Sequence, residues 1–312
     1  MEDCLVYFFT GFLDSGKTSV ISSWLGSENL KGRTAVIICT EEGETEYPEN
    51  ATVINCETTD VTKEMTFELE RKYKPDFIFI EWNGSVSPKE FFDVVDVPER
   101  WALAATVIVV DCSTYGEYYK NMQTFFADYY RFGDMVIFNR VDESKDNLPK
   151  LRGSVKAVNP GVNISFFNKN NEVMRIEDHL PYDLSANPCA ITADDFGLFY
   201  TDALDNAERY SGKRVSLIGQ AGLLEMREFR GKAFILERKA YTCCAADVGK
   251  MGILCMYNYK SNFPAGQWLK VTGTLSYYED DDGSGQKVEV PCLNVEDYAV
   301  TSKPDNDIIY FN

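Results

Sequence analysis

The sequence predicts an α/β protein: a doubly wound, mostly parallel sheet over residues 1–180, a linker over 181–210, and a small all-β, OB-like barrel over 211–312. Three observations predict it. Short apolar runs alternate with helical stretches through the first half, the pattern of a parallel sheet buried on both faces. A glycine-rich loop separates the first run from the first helix. Near residue 180 the text changes to strands and turns. A length of 312 residues suits two domains at about 150 residues each.

The apolar runs are residues 5–10, 34–39, 52–56, 76–81, 106–111, 135–139 and 162–167, rich in Val, Ile and Phe with little polar alternation. Helices are expected over 17–26, 61–73, 88–95, 115–131 and 147–158. Residues 181–188, PYDLSANP, are turn-rich, and 190–210 reads as an extended connector with a short helix near 202–209. Strands follow over 214–219, 231–241, 252–257, 268–278 and 287–300. LKVTGTLSYY and KVEVPCLNV, joined through EDDDGSG, form a hairpin signal with a solvated acidic tip. Five strands in about 100 residues suit a small Greek-key barrel, with a four-stranded sandwich as the competing arrangement.

The charge excludes several functions. Lys plus Arg is 31 against 49 Asp plus Glu, a net charge of −18. Such a chain repels phosphate backbones, so nucleic acid is not an expected partner. Stacking on Tyr241, Tyr257, Tyr259, Phe263 and Trp268 is the weaker reading beside a core or interface role. No apolar run has the 18 or more residues of a membrane span, and the first residues do not read as a signal peptide. One histidine, His179, disfavours a Ser-His-Asp triad and reads as a solvated or capping residue. Nine cysteines lie mostly inside apolar runs, which suits a reduced, cytoplasmic protein with buried thiols.

The strongest chemical signal is Gly11-Phe-Leu-Asp14-Ser15-Gly16-Lys17-Thr18, a complete G-x-x-x-x-G-K-[ST] followed by Ser19, in the strand–helix context that defines a P-loop NTPase. The glycines let successive amides turn inward, and the helix starting near Lys17 adds its positive end. Lys17 is expected on the β and γ phosphates and the Thr18 hydroxyl on Mg²⁺. Asn139-Arg140-Val141-Asp142 follows a predicted strand, where a doubly wound sheet offers its edge to a ligand. An Asp142 carboxylate there can accept from guanine N1–H and N2–H, a donor pair adenine lacks, which points to GTP. Asn139 can hold the loop and reach N7, and the Arg140 stem can cover the base. Glu81 ends the run DFIFIE, where a carboxylate would hold Mg²⁺ through water or orient the attacking water, and Gly84 lets the next loop approach the γ phosphate. The acidic loop Thr40-Glu41-Glu42-Gly43-Glu44 reads as a switch segment.

Together GFLDSGKT, TEEGE, EWNGSVSP and FNRVD resemble, in order and spacing, the metallochaperone GTPases of the CobW/HypB/UreG type over roughly the first 170 residues. The resemblance implies GTP hydrolysis coupled to delivery of a metal ion or metal cofactor to a metalloprotein client; no arginine finger is evident in the sequence, so slow hydrolysis stimulated by a partner or by dimerisation is expected. By position, Glu41, Gly43 and Glu44 match its N-E-x-G-E loop, with Thr40 in place of Asn. Glu81, Gly84 and Pro88 match its E-x-[ST]-G-x-x-x-P element, with Asn83 in place of Ser or Thr. Its C-x-C-C metal motif corresponds here to Cys56-Glu57-Thr58-Thr59, and threonine is a poor ligand for Zn²⁺.

The second half, with Arg238-x-x-x-x-Cys243-Cys244-x-x-Asp247 and the strand WLKVTGTL, resembles the soluble C-terminal domain of YcgQ-type permease subunits, which implies an OB-like fold and a link to metal transport. Cys243, Cys244 and Asp247 are the candidate ligands for Zn²⁺ or another transition metal, against the plainer reading of two small hydrophobes at a strand end. An adaptor that docks on a membrane permease without itself binding metal is the alternative to a metal-handling GTPase.

Overall fold

The computed structural model describes residues 3–43, 45–48, 51–159, 161–174, 180–224, 229–241, 248–259, 263–281 and 287–309. The chain divides into two compact units, residues 1–146 with 161–175, and residues 147–160 with 176–312.

The first unit is a P-loop-type α/β sheet. Its elements are β1 (Cys4–Thr10), α1 (Lys17–Leu25), β2 (Ala35–Cys39), β3 (Thr52–Asn55), α2 (Lys63–Tyr73), β4 (Phe77–Glu81), α3 (Lys89–Phe92), β5 (Trp101–Asp111), α4 (Cys112–Phe132), β6 (Met135–Val141), β7 (Asn163–Asn168) and β8 (Val173–Met174). The strand order is β3-β2-β4-β1-β5-β6-β7-β8, parallel except for β8, so the order reverses beside the central β1. Alternate residues feed opposite faces: Phe8, Ile78 and Ile80 pack in one cluster, Phe9, Phe77 and Phe79 in another. Fully apolar strands are therefore required, as the sequence runs suggest.

Within the first unit two elements differ most in length from the sequence expectation, and in the second the stretch expected as an extended connector with a short helix near 202–209 forms two helices, Phe196–Asp205 and Ala207–Tyr210. α3 is one turn long, because Val94, Val95 and Val97 disfavour helix and Pro98 restricts the residue before it. β5 begins five residues early, at Trp101, where Cys4, Leu5 and Val6 supply backbone partners for Trp101, Ala102 and Leu103, although alanine is a weak strand former.

The second unit holds α5 (Leu148–Lys156), β9 (Cys189–Ala190), α6 (Phe196–Asp205), α7 (Ala207–Tyr210), β10 (Arg214–Leu223), β11 (Ala233–Tyr241), β12 (Val248–Met256), β13 (Trp268–Asp281), β14 (Lys287–Val300) and β15 (Ile308–Ile309). Strands β10-β11-β12-β14-β13 close on β10 to make a five-stranded barrel of the OB type, and the sandwich alternative falls away. Its interior is built from Leu217, Leu236, Ile253, Leu269 and Leu293, onto which Phe196 and Phe199 of α6 pack. Between Thr272 and Gly273 the register skips Glu296, a bulge on β14, and a Cβ on Gly273 would meet the Asn294 carbonyl oxygen at 2.3 Å.

α5 joins this unit through buried charge. Asp202 is 2% exposed and accepts from Arg152 Nη1 at 3.0 Å, Arg209 Nη1 at 2.8 Å and Tyr210 Oη at 2.5 Å. Asp205 meets Arg152 and, at 3.0 Å, Lys156 Nζ. Asp202→Asn keeps the shape but removes the anion. It is expected to lower unfolding free energy by about 2 kcal/mol, read by urea titration, because the two arginines lose their charged acceptor.

Candidate functional site

Parallel register carries the chemistry-bearing residues to one edge. Phe9 is level with Glu81, Cys39 with Glu81, and Asp111 with Asn139, so the ends of β1, β2, β4, β5 and β6 lie side by side. The reversal in strand order beside β1 opens a crevice there.

The loop from Gly11 to Gly16 curls through positive φ at Gly11 (140°), Asp14 (60°) and Gly16 (104°). The glycines are needed for space as well. A Cβ on Gly11 would meet the Val109 carbonyl oxygen at 2.1 Å, and one on Gly16 would meet Asn139 Nδ2 at 2.4 Å. α1 starts directly from Gly16, so its free amides face the loop.

Lys17 is 2% exposed. Its Nζ donates to the carbonyls of Gly11 at 2.7 Å and Phe12 at 3.0 Å, and to Glu41 Oε2 at 2.6 Å. A carboxylate from the acidic loop thus sits on the ammonium. Thr18 Oγ1 donates to Glu81 Oε1 at 2.9 Å, and Tyr47 Oη donates to Glu81 Oε2. Burial pushes the Tyr47 hydroxyl far up, so it stays a donor. Cys39 Sγ lies 3.7 Å from the same Glu81 oxygen, and burial pushes its thiol up to about 11. A cavity of about 80 Å³ opens among Asp14, Gly16, Lys17, Thr18, Glu41 and Glu81.

Thr40 ties the two loops together. Its Oγ1 donates to the Glu81 carbonyl at 3.2 Å and accepts from the Asn83 amide at 2.8 Å. Gly84 lies against the phosphate loop itself: a Cβ there would meet the Gly11 carbonyl oxygen at 1.9 Å. Gly84→Ala is therefore expected to push the two loops apart and weaken nucleotide binding about tenfold, read by displacement of a fluorescent GDP.

On the other flank, Asn139 Nδ2 donates to the Ser15 carbonyl at 3.1 Å and fixes the phosphate loop. Arg140, at φ 55°, donates to the Asp14 carbonyl at 2.8 Å and pairs with Asp111 Oδ2 at 2.6 Å. Asp142 Oδ1 accepts from Ser144 N at 3.1 Å and Ser144 Oγ at 2.6 Å, and Lys145 Nζ lies 3.3 Å from Oδ2. The Ser144 hydrogen bonds and Lys145 hold this carboxyl down at about 2.

Of the sequence candidates, the fold gathers Gly11, Asp14, Ser15, Gly16, Lys17, Thr18, Glu41, Glu81, Asn139 and Arg140 around one loop. Ser19 follows on α1, and Asp142 stands just beyond β6. Glu44 lies outside the described residues, as do His179, Cys243, Cys244 and Asp247. Among the described residues no group of three or more His, Cys, Asp or Glu side chains could hold a metal ion. Cys56 packs against an apolar cluster, and burial raises its thiol to about 11. Sequence reasoning missed Tyr47 and Asp111. Tyr47 stands in an acidic, aperiodic stretch with no signal. Asp111 ends a predicted strand at the same edge as Glu81 and could have been found that way.

This loop, lysine and carboxylate on a doubly wound parallel sheet define a P-loop nucleotide-binding protein. Residues 5–166 match the family "CobW/HypB/UreG, nucleotide-binding domain", and the chain belongs to that family of GTPase-like domains, homologous to metallochaperone GTPases. Residues 166–311 match the "DUF1980 C-terminal domain". No curated protein matches the chain.

Among solved structures, the chain is similar to zinc-bound YjiA GTPase from E. coli at 13% identity, covering 98% of this chain and 92% of that one, with a TM-score of 0.44. It is similar to nickel-complexed HypB from Helicobacter pylori at 14% identity, covering 54% and 80%, with a TM-score of 0.39. A mitochondrial single-stranded-DNA-binding protein from S. cerevisiae resembles 30% of this chain over 97% of its own length, at 12% identity and a TM-score of 0.21. The family assignment rests on the matched residues, not on these likenesses. Among the described residues no helix is long and apolar enough to cross a membrane.

Proposed function

We propose that the protein binds GTP with Mg²⁺ and hydrolyses it, and that hydrolysis gates the handling of a metal ion or metal cofactor. The observation that carries the nucleotide reading is Lys17 Nζ, buried beneath the loop carbonyls and held on a carboxylate. A cation so placed is matched to an anion, and a phosphate oxygen can replace the Glu41 oxygen at 2.6 Å. Thr18 and Glu81 are hard oxygen donors already within 2.9 Å of each other, a set that fits Mg²⁺. When bound there, Mg²⁺ neutralises charge on the β and γ phosphate oxygens.

The chain's own residues would do the rest. Loop amides and Lys17 stabilise the charge that grows as water attacks the γ phosphorus and the bond to the bridging oxygen breaks. Glu41, displaced from Lys17, moves with the 40–47 loop and reports which nucleotide is bound. Glu44, outside the described residues, keeps the switch role that the sequence suggests. Asn139 holds the phosphate loop, Arg140 covers the base, and Asp142 accepts from guanine. Competition against a fluorescent GDP tests base choice: GTP is expected to displace it at far lower concentration than ATP, and equal displacement would refute the guanine reading.

Metal handling is supported by the family membership alone. With Cys56 half-buried against an apolar cluster and Thr58-Thr59 beside it, a transition metal such as Zn²⁺ would have to be taken by Cys243, Cys244 and Asp247. Elemental analysis of the wild type and of Cys243→Ser/Cys244→Ser, each with and without GTP, tests this. Nucleotide-dependent zinc, cobalt or nickel that disappears in the variant is the expected result. Unchanged metal content removes the cysteine pair from the mechanism and favours a nucleotide-gated adaptor, docking on a permease in the cytoplasm. A nucleotide-dependent dimer would supply the stimulus for hydrolysis.

A further inference from the structure

The second unit carries a buried charge that nothing above uses. β11 sends every second side chain inward, namely Phe234, Leu236, Arg238 and Ala240, and three of the four are apolar. Arg238 is 1% exposed. Its guanidinium lies over the Trp268 indole, 5.2 Å from the ring centre. Nη1 donates to the Ala193 carbonyl at 2.8 Å and Nη2 to the Asn306 carbonyl at 2.5 Å. Nε–H, fully buried, has no partner among the described residues. Asp194 and Asp307 act on the guanidinium only through space. A buried cation met by carbonyls alone is costly until an anion completes it.

Beside Arg238 opens a cavity of about 250 Å³, lined in part by Trp268 and Gln220. Lys239, Lys250 and Lys303 also reach it, against two acids, Glu237 and Asp307. Each acid is paired with a lysine, Glu237 with Lys250 at 2.8 Å and Asp307 with Lys303 at 2.7 Å. Four cations against two acids make this lining positive, in a chain of net charge −18. A field of that sign in such a chain is local and built by these side chains.

We propose that this cavity binds a small, multiply charged oxyanion, bearing phosphoryl or carboxylate groups, with Arg238 as its buried anchor and the three lysines as its rim. Two of the five guanidinium N–H donors are taken by carbonyls, which leaves three, Nε–H among them. At about 250 Å³ the cavity is smaller than the roughly 300–1,000 Å³ pockets that enclose drug-sized ligands, which suits a phosphate or a tricarboxylate. The site is independent of the phosphate loop, and neither reading depends on the other.

The test uses the full chain labelled with ¹⁵N at tryptophan. Four indole N–H signals are expected, one from each Trp of the sequence, with Trp268 assigned from Trp268→Phe. Inorganic phosphate and citrate are titrated separately. The Trp268 signal is expected to move saturably, with a midpoint of about 1 mM or below, for at least one of them. The anion acting at lower concentration shows whether phosphoryl or carboxylate is preferred. Occupancy of the phosphate loop would move Trp24 on α1 instead. Lys239→Gln/Lys303→Gln changes two side chains on the rim and is expected to raise the midpoint at least about fivefold. Arg238→Gln is expected to abolish the shift if it folds. A Trp268 signal that is still at about 10 mM of either anion, or that moves equally in the lysine double variant, overturns the proposal.

Discussion

Lys17→Ala is expected to lower GTP turnover by about 10²–10³-fold, because a buried cation aimed at developing phosphoryl charge is removed. No neighbouring group can take over. The Nζ position is defined by the Gly11 and Phe12 carbonyls at 2.7 and 3.0 Å, and among the described residues no other cation lines the 80 Å³ cavity except Arg140, which Asp111 holds at 2.6 Å. The same substitution leaves Glu41, whose side chain is 10% exposed, without its partner. Some loss of stability therefore accompanies the loss of activity, and Lys17→Ala/Glu41→Gln separates the two effects. The double variant should recover stability in urea titration while phosphate release stays low. Glu41→Gln alone should bind nucleotide more tightly than wild type, because it removes the internal competitor for Lys17. Phosphate release and nucleotide displacement measured on all three variants check both statements.

The second large effect is expected at Asp142. Asp142→Ala should cut the preference for GTP over ATP by about 10²-fold, since the guanine N1–H and N2–H donors lose a charged acceptor while adenine loses nothing. Phosphate release with each nucleotide reads it. The pH dependence follows from the carboxyl being held at about 2 by Ser144 and Lys145. A depressed pKa keeps the acceptor ionised at every pH above it, so GTP preference should be flat between about pH 5 and 8. A preference that fades within that range would mean that another group reads the base.

Much of this was legible in the residues. Seven of the eight strands of the first sheet reveal themselves because burial on both faces demands unbroken apolar runs, and β1 to β7 coincide with them to within a few residues except at the start of β5. The five barrel strands were legible from their alternation and from the turn chemistry between them. Closure of the barrel was not, because the pairings β10–β11 and β12–β14 join segments whose sequences carry no mark of their partners. The two-residue strands β8, β9 and β15 are shorter than any periodicity can register.

At the site, residues bound by local motif were legible and those recruited from loops were not. Gly11 to Thr18 are fixed by spacing. Tyr47 reaches Glu81 only because the loop after β2 folds back. Arg140 was expected over a base, and the Asp111 carboxylate that holds it lies 29 positions away in the chain. Burial of Arg238 could not be read from sequence either. Its place in an alternating strand points it inward, whereas arginine is ordinarily an outward residue.

We propose that this loop turns over GTP. The most direct measurement is steady-state phosphate release by the full chain in the presence of Mg²⁺, with GTP and with ATP, beside Lys17→Ala. Slow release from GTP, lost in Lys17→Ala and much weaker with ATP, is the predicted result. Equal release by the wild type and Lys17→Ala, or a preference for ATP, would contradict it.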